Sequence, residues 1–209
     1  MWWFLMPLFN CKKQGCRIET GYCSDGKTYG VTICNAIKAD DCFDKIARII
    51  RHYSAGEEFY FGFYRLDGLT LTKEEWNKCD VEIPLFFKKY GLFQEISETV
   101  YDKKGREKVF SGYLNVARAK INDDLYSNLQ WIFQYYLETV MFVPKISFDR
   151  FEKIYSNYMK ESTKYYLING YTDFLYSYYD SGTFSIYFDP EEFDASEICE
   201  YVSSIFDSN

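Results

Sequence analysis

The side chains with chemistry to offer in this sequence are one histidine, seven cysteines and two runs of carboxylates. His52 would have to serve any Ser-His-Asp or Cys-His apparatus. It falls near the end of an expected helix, away from Phe43 and Ile50 and beside Arg48 and Arg51. That is the setting of a solvated histidine, whose positive form suits the negative end of a helix dipole. The cysteines stand at positions 11, 16, 23, 34, 42, 79 and 199. Four thiolates could complete a tetrahedral zinc site. Cys11, Cys16, Cys23 and Cys34 follow C-x4-C-x6-C-x10-C, however, without the paired C-x2-C knuckles that pre-organise one. We expect no metal and no cofactor, and read these as buried or idle thiols.

The carboxylates gather at two places. Asp40, Asp41 and Asp44 open the first long expected helix, and Asp189, Glu191, Glu192, Asp194 and Glu197 open the last. Capping and dipole compensation explain acids at helix starts. With Glu57 and Glu58 they would also form a negative surface able to meet lysine and arginine on another protein. Tyr176, Tyr178 and Tyr179 are the tyrosines we assign to that surface. No catalytic residue is assigned. The letters of G-x-x-x-x-G-K-[ST] occur once, from Gly21 to Thr28, but in what reads as a hairpin turn and not between a strand and a helix. The sequence holds no G-x-G-x-x-G after a strand, no G-x-S-x-G elbow and no H-E-x-x-H, so nucleotide enzymes, serine hydrolases and zincins are disfavoured.

Composition points the same way. Acids outnumber bases 31 to 24, giving a formal charge of −7. Such a balance repels phosphate backbones and anionic lipid, which makes nucleic acid and membrane surfaces poor partners and a basic protein a good one. Aromatic residues make up 21% of the chain, with 21 tyrosines among them. That exceeds the needs of a core, and half-exposed tyrosines are common at interfaces. The opening MWWFLMPLF is apolar but lacks a basic n-region and a small-residue cleavage site. No stretch reaches the 18 or so apolar residues of a membrane span. We therefore expect reduced thiols and a cytoplasmic protein.

The elements that must position these groups are read from periodicity. A hairpin is expected over Arg17 to Asn35 with turn chemistry at Ser24-Asp25-Gly26-Lys27, then a helix capped by Asp40 or Asp41. Phe59 to Leu66 alternates as a strand, and Thr72-Lys73-Glu74-Glu75 opens a short helix. A second hairpin flanks Asp102 to Arg106. Asn122 to Val143 carries an apolar stripe at three- and four-residue steps, which predicts a long amphipathic helix stopped by Pro144. Its opposite side gathers Trp131, Tyr135 and Phe142. A helix from Ser147 follows, then a third hairpin around Asp180-Ser181-Gly182. There Phe174, Tyr176 and Tyr178 oppose Phe184, Ile186 and Phe188. Asp194 caps the last helix.

These elements describe one α+β domain spanning 1–209, with antiparallel hairpins and about five helices packed around the central helix 122–143. Segments 17–54 and 172–207 resemble each other as ββα units, Val31 aligning with Ile186, Ile46 with Tyr201 and Ile50 with Ile205. The function expected is that of a non-enzymatic acidic binding protein. Its most concrete form is a toxin-neutralising immunity protein or antitoxin of the bacterial or phage cytosol that blocks a basic toxin domain. An enzyme or small-ligand carrier with a tyrosine-lined pocket is the second class. A homo-oligomeric subunit with Trp131, Tyr135 and Phe142 as a homodimer seam is the third.

Overall fold

The computed structural model describes residues 16–23, 25–66, 72–98, 112–120, 126, 129–130, 132–133, 138–153, 172–179 and 182–207. The chain is α+β, and the strand pairings described below are antiparallel. It forms two compact units.

The first unit begins with β1 (Arg17–Tyr22) and β2 (Tyr29–Cys34). Their turn is held by Asp25, whose Oδ1 accepts from the Lys27 and Thr28 amides at 2.9 Å. Its Oδ2 accepts from the Thr28 hydroxyl at 2.6 Å. A 3-10 turn, Ala36–Lys38, leads into α1 (Cys42–Ser54). Asp41 occupies the N-cap position of α1 but makes no side-chain capping bond. Its left-handed φ of 54° departs from the extended backbone that lets an N-cap oxygen reach the second and third amides.

Later in the chain β7 (Thr172–Tyr179) and β8 (Thr183–Phe188) form the third hairpin, and a final helix runs over Ala195–Asp207. Phe174 pairs with Phe188, Tyr176 with Ile186 and Tyr178 with Phe184. Directly paired residues share a face, so these six rings and aliphatics line one side of the sheet. That is the opposition expected from period-two alternation. β2 pairs with β8, which gives the order β1-β2-β8-β7, and Val31 lies directly opposite Ile186. A two-fold relation between the two hairpins would put an aligned pair on its axis in this way. In the helices Ile50 and Ile205 are both buried, whereas Ile46 is fully buried and Tyr201 partly exposed.

Helices α1 and Ala195–Asp207 bury Ile46, Ile49 and Ile50 from one, and Ile198, Val202, Ile205 and Phe206 from the other. A buried tyrosine needs a partner for its hydroxyl. Tyr176 finds one in Ser54, with Oη and Oγ 2.7 Å apart. Thr172 donates its hydroxyl to the Val143 carbonyl at 2.8 Å, tying Phe142–Lys145 into this unit.

In the second unit β3 (Glu58–Leu66) pairs with β5 (Gly112–Lys120), which pairs with β4 (Gly91–Glu98). Phe59, Phe61 and Phe63 are fully buried on one face of β3. Phe59 and Phe61 stand opposite Ala119 and Ala117, so large meets small. Lys73–Asn77 forms α2, a π-helical turn covers Lys78–Glu82, and α3 is Ile83–Tyr90. Phe87 of α3 packs on Phe61 and Phe63 at 5.0 and 5.1 Å. On the other face Tyr60 meets Phe148 and Phe151, both at 5.3 Å, and donates to the Ile146 carbonyl at 3.0 Å.

One expectation is overturned. The helix of 122–143 does not reach Val143, because Glu138–Pro144 is a strand, β6. Residues 126, 129–130 and 132–133 are helical, and the rest of 122–137 lies outside the described residues. Thr139, Val140 and Val143 are β-branched, and every residue from Thr139 to Val143 is buried. A run buried on both faces carries no period of its own, so it continues a helical stripe by chance. Phe142 is therefore a buried strand residue, 2% exposed, and not part of a helix back face. Trp131 and Tyr135 lie outside the described residues.

Candidate functional site

The pairing of β2 with β8 decides where the two acidic runs lie. β2 leads into α1 and β8 into the last helix, and the two strands are antiparallel. The starts of the two helices therefore sit at opposite ends of the strands β1, β2, β8 and β7. Cys34 lies about 17 Å along β2 from Tyr29, the partner of Phe188, at about 3.4 Å per residue. Contacts between the helices agree. Lys45, near the start of α1, holds its ammonium 5.8 Å from the Phe206 ring near the end of the last helix. His52, near the end of α1, stacks on Tyr201 at 4.0 Å. Asp40, Asp41 and Asp44 thus occupy one end, and Asp189, Glu191 and Glu192 the other.

The two ends also differ in what their acids do. At the second end Asp189 accepts from the Glu191 amide at 2.9 Å, and Asp194 caps the last helix through the Ser196 and Glu197 amides at 2.8 and 3.3 Å. Glu192 is bound by Lys145, with Nζ 2.8 and 3.1 Å from its two oxygens. The same ammonium lies 2.8 Å from Asp173. These carboxylates hold the Lys145 pKa above its ordinary value, Asp173 foremost and then Glu192. Only local capping was legible in the sequence, because Lys145 is 47 positions from Glu192.

At the first end Asp40, Asp41 and Asp44 are exposed, and among the described residues they form no ion pair. Glu57 and Glu58 belong to the second unit, where Glu57 is exposed and Glu58 lies 3.5 Å from Arg118. Tyr176 and Tyr178, 1% and 2% exposed, are core residues and cannot touch a partner. Alternation across β7 explains this, since both share the helix-covered face with Phe174. Tyr179, 41% exposed, keeps its place on the surface.

The remaining candidates are quiet. His52 is exposed, and besides Tyr201 its ring meets Tyr53 edge-on at 4.7 Å. The Tyr53 hydroxyl is buried without a hydrogen bond. Its pKa is raised by burial first, then by Glu197, Tyr201 and Cys199. Burial also pushes Cys42 and Cys199 up to about 11, helped by Cys16 and Glu200 respectively. Burial and then Asp25 push Cys23 up to about 12. Thiols held protonated are poor nucleophiles and poor metal ligands. Among the described residues no three His, Cys, Asp or Glu side chains converge on a metal-sized point, and no helix is long and apolar enough to cross a membrane.

Those thiols carry a pH prediction. In the unfolded chain a thiol ionises near pH ~8.5, whereas Cys42 and Cys199 stay protonated in the fold to about 11. Between these values the unfolded state binds fewer protons, so stability is complete below about pH 8.5 and falls as pH rises. The unfolding free energy from urea titrations should decline between pH ~8.5 and ~10 by at most about 1.4 kcal/mol per pH unit for each thiol. The decline should flatten in a Cys42→Ala/Cys199→Ala chain. An equal slope in that variant would assign it to other groups.

No family model, curated protein or solved structure matches the chain.

Proposed function

We propose that the chain is a non-enzymatic binding protein that meets a basic protein partner through the α1 end of its first unit. Its most concrete form is an immunity protein or antitoxin covering the phosphate-binding active site of a toxin domain. The observation that carries the reading is that Asp40, Asp41 and Asp44 are exposed and form no ion pair among the described residues, whereas the second acidic run is spent on caps, a turn and Lys145. A site that binds phosphate is basic, and an acidic decoy approaches it fast along the field of the opposite charges. Such a protein needs a stable fold and a complementary surface, and makes no demand on His52 or on the protonated thiols.

The test is a salt series on the partner captured from the native host. Reversing Asp40, Asp41 and Asp44 to lysine should slow association roughly tenfold or more at low ionic strength, with far-UV circular dichroism unchanged. Reversing Asp189 and Glu191 should slow it much less. Association rates that ignore both salt and the first set of reversals would remove the reading.

A further inference from the structure

We infer that β1 is a docking edge whose occupant is β1 of a second copy of this chain. The two strands pair antiparallel about Ile18, so that Arg17 of each copy faces Glu19 of the other. The inference stands apart from the acidic-binder reading and concerns a different surface.

Among the described strands β1 is terminal, with β2 on one side only. Its counterpart in the other ββα segment is β7, and there residues 142–144 of β6 fill the outer edge. The same kind of unit thus takes a further strand at this position once within the fold. The Cys23 amide donates to the Thr28 carbonyl at 2.7 Å, directly across the first hairpin. By alternation Arg17, Glu19 and Gly21 turn their backbone groups to β2, and Ile18, Thr20 and Tyr22 turn theirs to the outer edge. β1 holds no proline and pairs without a bulge, so it lacks two of the devices that close an edge.

A second β1 can extend the ladder only in registers that bring outward backbone groups of the two strands together. Charge chooses among those registers. Arg17 and Glu19 lie on the face away from buried Ile18, with side chains 56% and 37% exposed. A ladder centred on Glu19 would set Glu19 against Glu19, and one centred on Arg17 would set Arg17 against Arg17. Like charges directly opposite are destabilising. Centred on Thr20, Glu19 would meet Gly21 and gain no charge pair. Centred on Ile18, Arg17 meets Glu19 twice, at non-hydrogen-bonded positions where opposing Cα atoms are closest, about 4.5 Å apart. Each Arg17, already 2.5 Å from Glu19 of its own strand, then stands between two carboxylates, and the four charges alternate around the axis.

The experiment uses the full chain. Sedimentation velocity from about 10 μM to about 1 mM should show a monomer–dimer equilibrium. Hydrogen exchange at the Ile18 and Thr20 amides should slow as concentration rises. Arg17→Glu alone, or Glu19→Arg alone, should weaken the dimer roughly tenfold or more, because both cross-strand pairs become like-charged. An equimolar mixture of the two variants should restore it, since each offers the other its complement. Arg17→Glu/Glu19→Arg in one chain should restore it as well. Both side chains reach solvent, so circular dichroism should be unchanged in every variant. A monomer at about 1 mM would overturn the inference, as would exchange at Ile18 and Thr20 that ignores concentration. A dimer untouched by either single reversal would place the seam elsewhere and overturn it too.

Discussion

Truncating Phe174 to alanine should cost about 3–5 kcal/mol of stability, the range for deleting a buried aromatic ring. Phe174 is buried at a meeting of rings. Its centroid lies 4.4 Å from Phe193, 5.4 Å from Tyr53, 6.0 Å from Tyr176 and 6.3 Å from Phe188. Those neighbours come from the approach to the last helix, from α1, from β7 itself and from β8. The cavity would open among several elements at once, and none can collapse into it without moving a second. Urea unfolding should show the loss together with weakened near-UV dichroism. Tyr179→Ala, at an exposed site of the same strand, should stay within about 0.5 kcal/mol. A loss below about 1.5 kcal/mol at Phe174 would mean that the rings do not pack as described.

Gly182→Ala should be the next largest effect, and Gly56→Ala separates its causes. Both glycines are left-handed, at φ 74° and 82°, so alanine at either should cost about 1–2 kcal/mol in backbone strain. At Gly56 the new methyl meets nothing within 4 Å. At Gly182 it would lie 2.7 Å from Ile37 Cγ2, 3.1 Å from its Cβ and 3.4 Å from its backbone nitrogen. Overpacking of that kind adds about 1–3 kcal/mol. Ile37→Ala in the Gly182→Ala background should restore part of the excess and leave the strain, as a double-mutant cycle would resolve. Equal losses at the two glycines would mean that Ile37 does not sit against the turn.

Sequence signals succeeded where structure is local. The faces of the β7–β8 hairpin follow from alternation and from a glycine placed where the turn needs φ above zero. Asp194 caps the last helix because a short acid just before an apolar period can fold back on the free amides. Asp41 had the same residue type at the same offset and failed, since its left-handed backbone aims the side chain elsewhere. β6 failed for another reason. A segment buried on both faces shows no alternation, so its apolar residues were absorbed into the stripe of the preceding helix.

The sequence by itself determined the α+β class, the first and third hairpins, the cap of the last helix and the excess of negative charge. Each depends on residues within a turn or two of one another, or on a plain sum. The tertiary structure alone decided which of the described carboxylates are engaged and where they lie. Pairing β2 with β8 brings together residues more than 150 positions apart and sends the two acidic runs to opposite ends. Lys145 then ties up Glu192 across 47 positions, and the helices cover the face that holds Tyr176 and Tyr178. Long-range pairing of that kind leaves no period and no spacing in the chain. That Asp40, Asp41 and Asp44 are exposed and form no ion pair among the described residues is a property of the fold.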